Sequence, residues 1–359
     1  MRAFEIMHEK GHEQIVFCRN EAIGLKSIIA IHDTTLGPAL GGCRMWPYKS
    51  EEEALEDVCR LSRGMTYKAS AAGLNLGGGK AVIIGDPKSQ KSEALFRAFG
   101  RFVDSLGGRY ITAEDVGTSV EDMEWVRMET RFVTGLSRAL GGSGDPSPFT
   151  ALGVYSGMQA CVKEVFGRED LKGFKILVQG LGHVGYHLCK HLHREEAKLF
   201  VTDIDADKIE KAVRDFGAEA VQAEKIFDLE IDIYAPCALG NVLNDDTIPK
   251  LKAKIVAGAA NNQLGEGDKH GKILFDRGIL YAPDYVINAG GLINVANELR
   301  GQYNMKKSLS EVKAIKNIVA RILEVARTEK IPTNVASNRL AERRLSEIRR
   351  IKGTYISSF

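Results

Sequence analysis

No charge of one sign dominates this chain. Its 359 residues carry 49 lysines and arginines against 47 acids, a formal net charge of +2. The clustered basic face of a nucleic-acid-binding surface is therefore missing. The basic runs near the C-terminus, Ala341-Glu342-Arg343-Arg344 and Arg349-Arg350-Ile351-Lys352, are short or broken by acids, and they read as a solvated helix face. Nor is there a Cys-x-x-Cys pair. Cys18, Cys43, Cys59, Cys161, Cys189 and Cys237 are widely scattered, which excludes a disulfide frame and fits reduced thiols. No window approaches the ~18 uninterrupted apolar residues of a membrane span, and Met1-Arg2-Ala3-Phe4-Glu5 has no apolar signal core. A cytoplasmic protein with no membrane or nucleic-acid partner is expected. Low-complexity segments and internal repeats are also missing.

The remaining composition, 44% hydrophobic and 27% charged, is that of a globular chain long enough for two domains. Strand and helix signals alternate. Leu25 to Ile31 is β-branched and predicts a strand. Glu51 to Met65 has apolar residues at helical spacing (Ala54, Leu55, Val58, Leu61, Met65) behind three glutamates that suit a helix N-terminus. A second helix is predicted over Glu93 to Leu106, then a strand over Arg109 to Thr112. The breaker-rich segment Gly141-Gly142-Ser143-Gly144-Asp145-Pro146-Ser147-Pro148 marks a junction and hinge. Beyond it come a helix (Thr150 to Phe166), a βαβ unit from Phe174, strands over Ile231–Ala235, Ile255–Gly258 and Leu280–Ala282, and a helical tail from Ser308. Such alternation predicts parallel, doubly wound sheets.

Two features carry chemistry. Lys175 to Gln179 is an apolar strand, and Gly180-Leu181-Gly182-His183-Val184-Gly185 follows at once to open a helix. Glycines there permit a tight turn, close approach to a pyrophosphate and close helix–strand packing, with the phosphates at the helix N-terminus. A second strand, Leu199 to Thr202, ends at Asp203, close to the ~20-residue spacing of a ribose-binding acid. Asp203 and Asp205 would repel a 2′-phosphate and no arginine follows closely, so NAD is favoured over NADP. His183, His187 and His191 fall four residues apart with His193 behind, a spacing that imitates a metal stripe. A metal at His183 would compete with the cofactor phosphates, so a partly exposed helix face and no metal are expected.

The second feature is Gly77-Gly78-Gly79-Lys80, twelve residues after Lys68. It reads as a backbone-permissive turn feeding an apolar strand, with Lys68 just after the preceding helix and Lys80 opening the strand. Desolvation and a neighbouring cation would both lower a lysine's pKa, so the pair suggests one charge-binding and one catalytic lysine.

The segment Leu74-x-x-Gly77-Gly78-Gly79-Lys80-x-Val82-x-x-x-Asp86-Pro87 resembles the lysine signature of the Glu/Leu/Phe/Val dehydrogenases. Thr35 to Gly42, Met65 to Lys68, Thr112 to Gly117, Ala259 to Leu264 and Pro283 to Gly291 resemble that family as well. The similarity spans essentially the whole chain and runs nearest to the leucine dehydrogenases. It implies an N-terminal α/β substrate domain and a Rossmann dinucleotide-binding domain separated by a cleft. The substrate domain would be residues 1–135 joined by the tail 330–359, and the NAD-binding domain 136–329.

By that resemblance Lys68 binds the substrate α-carboxylate, Lys80 holds the reacting water and polarises the carbon centre, and Asp115 shuttles a proton to and from the substrate nitrogen. It places Gly41, Gly42 and Met65 beside the substrate, and Thr150, Asn262 and Asn288 around the nicotinamide or the reacting centre. Leu40, Ala113, Leu292 and Val295 match an apolar pocket for the amino-acid side chain. No basic residue stands among them, which disfavours glutamate, whose second carboxylate would be buried unpaired. Leu292 stands where leucine dehydrogenases more often carry valine. Gly185 replaces alanine and His183 replaces asparagine. Reversible NAD-dependent deamination of leucine, isoleucine or valine to a 2-oxo acid and ammonia is expected, with phenylalanine or another aromatic substrate as the alternative. The family also implies a homo-oligomer, an octamer. A 2-hydroxy-acid dehydrogenase or a non-catalytic NAD-binding sensor are the rival readings; the first lacks a histidine–acid relay here, and the second would not need Lys68, Lys80 and Asp115 together.

Overall fold

The computed structural model describes residues 3–352, which form two compact units. The first runs to Asp145 and adds Val295–Asn304 and the chain from Ala341. The second comprises Pro146–Asn294 and Met305–Leu340. These bounds differ from the expected 1–135 with 330–359, and hydrogen bonds give the reason. The Glu298 carboxylate accepts from the Gly135 N–H at 3.1 Å, the Ser143 N–H at 2.8 Å and the Ser143 hydroxyl, fastening 295–304 to 135–145. Residues 333–338 instead bind second-unit groups: Asn334 donates to the Gly267 carbonyl at 3.0 Å, and Tyr285 donates to Asn338 at 2.9 Å.

The first unit contains α1 (Ala3–Lys10), β1 (Gln14–Asn20), β2 (Leu25–Asp33), β3 (Ala39–Leu40), β4 (Cys43–Trp46), α2 (Glu51–Ala71), β5 (Gly77–Ile84), α3 (Glu93–Ser105), β6 (Tyr110–Ile111) and α4 (Val120–Arg127). Its sheet runs β1-β2-β5-β3-β6, with β4 also on β5. The β1–β2 and β2–β5 pairs are antiparallel and the rest parallel, so the sheet is mixed, against the expectation of a parallel one. β2 and β5 are buried almost throughout because helices cover both faces. On one face Ala54, Leu55, Val58 and Cys59 of α2 pack on Ile28, Ala30 and Val82. On the other, Phe96, Phe99 and Val103 of α3 and Met123 and Val126 of α4 pack on Ile29, Ile31, Ala81 and Ile83.

Two expectations about the lysines fail here. Gly77, Gly78 and Gly79 are strand residues, not a turn, and none has positive φ. They are needed for closeness: a Cβ on Gly78 would lie 2.1 Å from Thr66 Oγ1 and 2.2 Å from Thr66 N, so α2 rests on bare backbone. Because Thr66, Ala69 and Ser70 bury against the sheet, α2 continues past Met65 to Ala71, and Lys68 lies in its last turn rather than after it. Lys80 is mid-strand.

The C-terminal basic runs are not a simple solvated face. Arg344 donates to the carbonyls of Ser70 at 3.1 Å and Leu74 at 2.8 Å and to Asn75 Oδ1 at 2.9 Å, satisfying groups at the C-terminal end of α2. Arg349 pairs with the carboxylate of Asp33.

The second unit contains α5 (Ser147–Phe166), β7 (Lys175–Gln179), α6 (His183–Arg194), β8 (Lys198–Thr202), α7 (Ala206–Phe216), β9 (Glu219–Ala220), β10 (Ile233–Pro236), β11 (Ile255–Val256), α8 (Gly267–Asp276), β12 (Leu280–Tyr281), α9 (Asp284–Ile287), α10 (Gly290–Ala296), α11 (Met305–Lys313), α12 (Ile315–Glu329) and α13 (Thr333–Lys352). The last residues of α10 and of α13 are counted in the first unit. The sheet is fully parallel, in the order β12-β11-β10-β7-β8-β9. Strand order reverses between β10 and β7, the switch point at which open α/β sheets bind ligands beyond their carboxyl ends. Among the described residues no helix is long and apolar enough to cross a membrane.

Candidate active site

Strand periodicity decides which first-unit side chains meet. Lys80 and Val82 share the α2 face of β5, and Arg44 of β4 is the register partner of Val82. Lys80 is 5% exposed, and its Nζ lies 2.9 Å from Asp115 Oδ2. Arg44 Nε donates to the same oxygen at 3.1 Å, while its Nη1 donates to Asp57 Oδ2 of α2 at 2.9 Å. Asp57 Oδ2 also accepts from Tyr48 OH at 2.7 Å, and its Oδ1 from Arg60 at 2.6 Å. The Asp115 N–H donates to Thr118 Oγ1, which donates in turn to the Cys43 carbonyl at 2.9 Å. Burial pushes the Asp115 carboxyl up, but the adjoining Lys80 and Arg44 charges outweigh it and hold the group below the usual carboxylate range. Glu114 goes the other way: burial, with Asp145, Asp115 and Asp122 nearby, raises it to about 7.

Gly41 and Gly42, between β3 and β4, are close-approach positions. A Cβ on Gly41 would sit 1.7 Å from the Gly79 carbonyl oxygen and 3.4 Å from Met65 Cγ. One on Gly42 would sit 2.9 Å from Asp115 Cβ. Leu40 is buried and registers with Gly78 and Ile111, and the Ala113 carbonyl accepts from the Cys43 N–H at 2.8 Å. The fold thus gathers Leu40, Gly41, Gly42, Met65, Lys80, Ala113 and Asp115 around β5. Half-buried Lys68 stands eleven residues after Asp57 on α2. Eleven residues make about three turns, so both lie on one helix face roughly 16 Å apart along the axis. Arg44, Tyr48, Asp57 and Glu114 escaped the sequence reading; the available signal was a lone arginine two residues after the Gly41-Gly42 pair, in an otherwise apolar run.

In the second unit the glycine turn sits at the end of β7. Gly180 has φ of +99°, and a Cβ on Gly185 would lie 1.9 Å from the Gly180 carbonyl oxygen. Among the described residues a Cβ on Gly182 would meet nothing within 4 Å, and α6 begins there with no side-chain cap. Open space before uncapped helix N–H groups fits a dinucleotide pyrophosphate. Asp203 accepts from the Leu181 N–H at 2.5 Å and the Asp205 N–H at 3.0 Å, which fastens it to the turn. Leu181 is buried, Val184 half-buried and His183 exposed. The neighbouring histidines contact aromatic rings: His191 stacks on Tyr155 at 5.3 Å, and His193 lies 5.8 Å from Phe216. Asn288 donates to the Ala259 carbonyl at 3.0 Å and to Asn261 Oδ1 at 2.7 Å, joining it to the loop that holds Asn262, whose φ is +52°. Thr150 Oγ1 donates to the Pro146 carbonyl and lies 2.7 Å from where a Gly291 Cβ would stand. Leu292 and Val295 are both buried on α10, Leu292 in the second unit and Val295 in the first.

Two family models cover most of the chain: Glu/Leu/Phe/Val dehydrogenase, dimerisation domain, over residues 12–132, and Glutamate/Leucine/Phenylalanine/Valine dehydrogenase over 202–353. A leucine dehydrogenase of Bacillus cereus is 58% identical over 356 residues, 99% of this chain and 97% of the relative. The chain belongs to the Glu/Leu/Phe/Val dehydrogenase family. It is an amino-acid dehydrogenase using a nicotinamide cofactor. Relatives of other specificity are nearly as similar. A phenylalanine dehydrogenase of Bacillus thermotolerans is 51% identical, covering 95% of this chain and 90% of its own. The crystal structure of the L-tryptophan dehydrogenase from Nostoc punctiforme matches with a TM-score of 0.84 at 49% identity, over 96% of this chain and 99% of that one.

Proposed function

We propose that this dehydrogenase deaminates a branched-chain L-amino acid reversibly, leucine foremost with isoleucine and valine, to the 2-oxo acid and ammonia, with NAD as the cofactor. The first unit binds the amino acid and the second holds NAD, through Gly180, Gly182, Gly185 and Asp203, with Thr150, Asn262 and Asn288 at its nicotinamide end. When bound, the nicotinamide supplies the hydride acceptor. The chain's own work is proton handling and positioning. Lys68 pairs with the α-carboxylate. Asp115, anionic at neutral pH, takes a proton from the substrate ammonium and returns one to the departing nitrogen. Lys80 holds the water that attacks the oxidised carbon. The observation that supports this is the 2.9 Å ion pair between Asp115 and Lys80, whose side chain lies on the α2 face of β5.

Leu40, Ala113, Leu292 and Val295, proposed for the side-chain pocket, are each apolar and buried and none is a cation, which suits an aliphatic side chain. An apolar pocket discriminates by only ~1–3 kcal/mol per methylene, and the phenylalanine and tryptophan dehydrogenases among the relatives favour an aromatic substrate as the second reading. The test is NADH oxidation with ammonium and, in turn, the 2-oxo acids of leucine, valine, phenylalanine and tryptophan. The aliphatic oxo acids are expected to give the highest kcat/KM. Preference for an aromatic one would change the substrate and keep the chemistry; no ammonium-dependent reaction with any would overturn both. We also propose a homo-oligomer, an octamer by family resemblance, to be checked by light scattering.

A further inference from the structure

We propose that Arg44 is a positioning residue for proton transfer: anchored by Asp57, its guanidinium holds one oxygen of Asp115 jointly with Lys80 and turns the other toward the substrate nitrogen. The inference rests on Asp115 being the proton carrier. Both contacts recorded for the carboxylate fall on Oδ2, from Lys80 at 2.9 Å and Arg44 at 3.1 Å; Oδ1 receives none among the described residues. The guanidinium is planar, and it spends Nε on Asp115 and Nη1 on Asp57. Its orientation is therefore set from both ends, which a lysine ammonium could not reproduce. Asp57 is itself immobilised by Tyr48 and Arg60, so the chain of contacts ends on a helix rather than a loop.

That helix is α2, which presents Lys68 on the same face. One rigid element thus carries the lysine proposed for the substrate carboxylate and the acid that aims the proposed proton carrier. Carboxylate and amine are bonded to one carbon of the substrate, so groups handling them must keep a fixed separation. Arg44 and Asp57 give the enzyme that constraint through charge-assisted hydrogen bonds.

The groups facing Asp115 are Lys80 of β5, Arg44 and the Cys43 thiol of β4, the Tyr110 hydroxyl of β6 and the neighbouring Glu114. Burial pushes Cys43 and Tyr110 up and keeps them neutral, leaving Lys80, Arg44 and Glu114 as the charges that set its titration. Removing Arg44 withdraws one of two cations holding the carboxylate ionised, so protonation sets in at higher pH.

The experiment is the pH dependence of kcat/KM for oxidative deamination with Arg44→Gln, Arg44→Lys and Asp115→Asn, the first also in a Glu114→Gln background so that the Glu114 titration is not mistaken for that of Asp115. Arg44→Gln is expected to move the acidic limb up by about 1 pH unit and to lower kcat about 10-fold, with the amino-acid KM nearly unchanged because Lys68 is untouched. Arg44→Lys, which keeps the charge, should restore the limb but only part of kcat. If Arg44→Gln does not fold, Arg44→Lys and Asp57→Asn decide alone: both must lower kcat while leaving KM. An unmoved limb and unchanged kcat, with Asp115→Asn inactive, would overturn the role of Arg44 alone. A fully active Asp115→Asn would overturn the assignment beneath it.

Discussion

Lys80 and Asp115 are joined by a 2.9 Å contact in which the lysine is 5% exposed and has the carboxylate as its recorded partner, while the carboxylate has Arg44 besides. Truncating either member is therefore unequal in cost. Asp115→Asn leaves a buried ammonium without its counter-charge, whereas Lys80→Ala leaves Asp115 still paired. Both variants are expected to lose about 10²- to 10⁴-fold in kcat. Asp115→Asn should be the less stable, by about 1–3 kcal/mol, as read from urea unfolding. NADH binding, measured by fluorescence, should survive in both. Equal stability of the two would contradict the unequal pairing.

Gly78→Ala tests the close approach of α2 to β5. The added methyl would meet Thr66 backbone and side chain at 2.1–2.2 Å, and neither is the loose end of a flexible group. Helix and strand must separate, at a cost of at least about 3 kcal/mol. A soluble Gly78→Ala protein with a wild-type Tm and KM would show that the approach is not needed.

Acidification should unfold the first unit in part through His12. Burial, then the neighbouring His32, lowers its pKa from 6.5 to about 4. Its Nε2 contacts the Cys59 carbonyl and Ser62 Oγ, and its buried Nδ1 has no hydrogen-bond partner among the described residues. Above pH 6.5 folded and unfolded states are both neutral there. Between 6.5 and 4 only the unfolded state binds the proton, so stability falls as pH falls, by up to about 2 kcal/mol between pH 7 and 5. His32, edge-on at 4.9 Å and also lowered, acts in the same direction. His12→Gln should therefore show a smaller, not abolished, loss of urea midpoint from pH 7 to 5. An unchanged slope would remove His12 from the account.

Asp203 is expected to serve two purposes, fastening the glycine turn through Leu181 and receiving ribose hydroxyls. Asp203→Asn, whose amide keeps one acceptor but not the charge, should raise KM for NAD by about 10-fold and narrow the preference over NADP. The amino-acid KM should not change. A wild-type KM for NAD in this variant would place the ribose elsewhere.

The legible parts of this protein were those whose signal is local. The strand from Leu25, the helix from Glu93 and the strand–glycine turn–helix at Lys175–Arg194 each carry their own periodicity or breakers, and each appears where expected. The strand expected over Arg109 to Thr112 is present as β6, shortened to two residues, whereas β3, two residues, and β4, four residues, owe their conformation to the strands beside them and leave no pattern. Gly77–Gly79 misled because glycine's familiar use is positive φ, while its use here is the missing Cβ. Lys68 was misplaced because tertiary burial of Thr66, Ala69 and Ser70 prolongs α2. Arg44 stayed hidden because its partners lie 13 and 71 residues away.

The contact of Thr66 with the bare Gly78 backbone also bears on how specificity can change. Where a helix rides on packed side chains, as the first half of α2 does on Ile28, Ala30 and Val82, core substitutions let it drift; where it rides on main chain, as at Thr66, it has nothing to drift on. With Lys68 of α2 proposed to take the substrate carboxylate, that end of the proposed site is a fixed origin, and any amino acid is measured outward from it. Redesign for a longer or shorter substrate belongs at the residues proposed for the amino-acid side chain, Leu40 and Ala113 among them, and not at that origin.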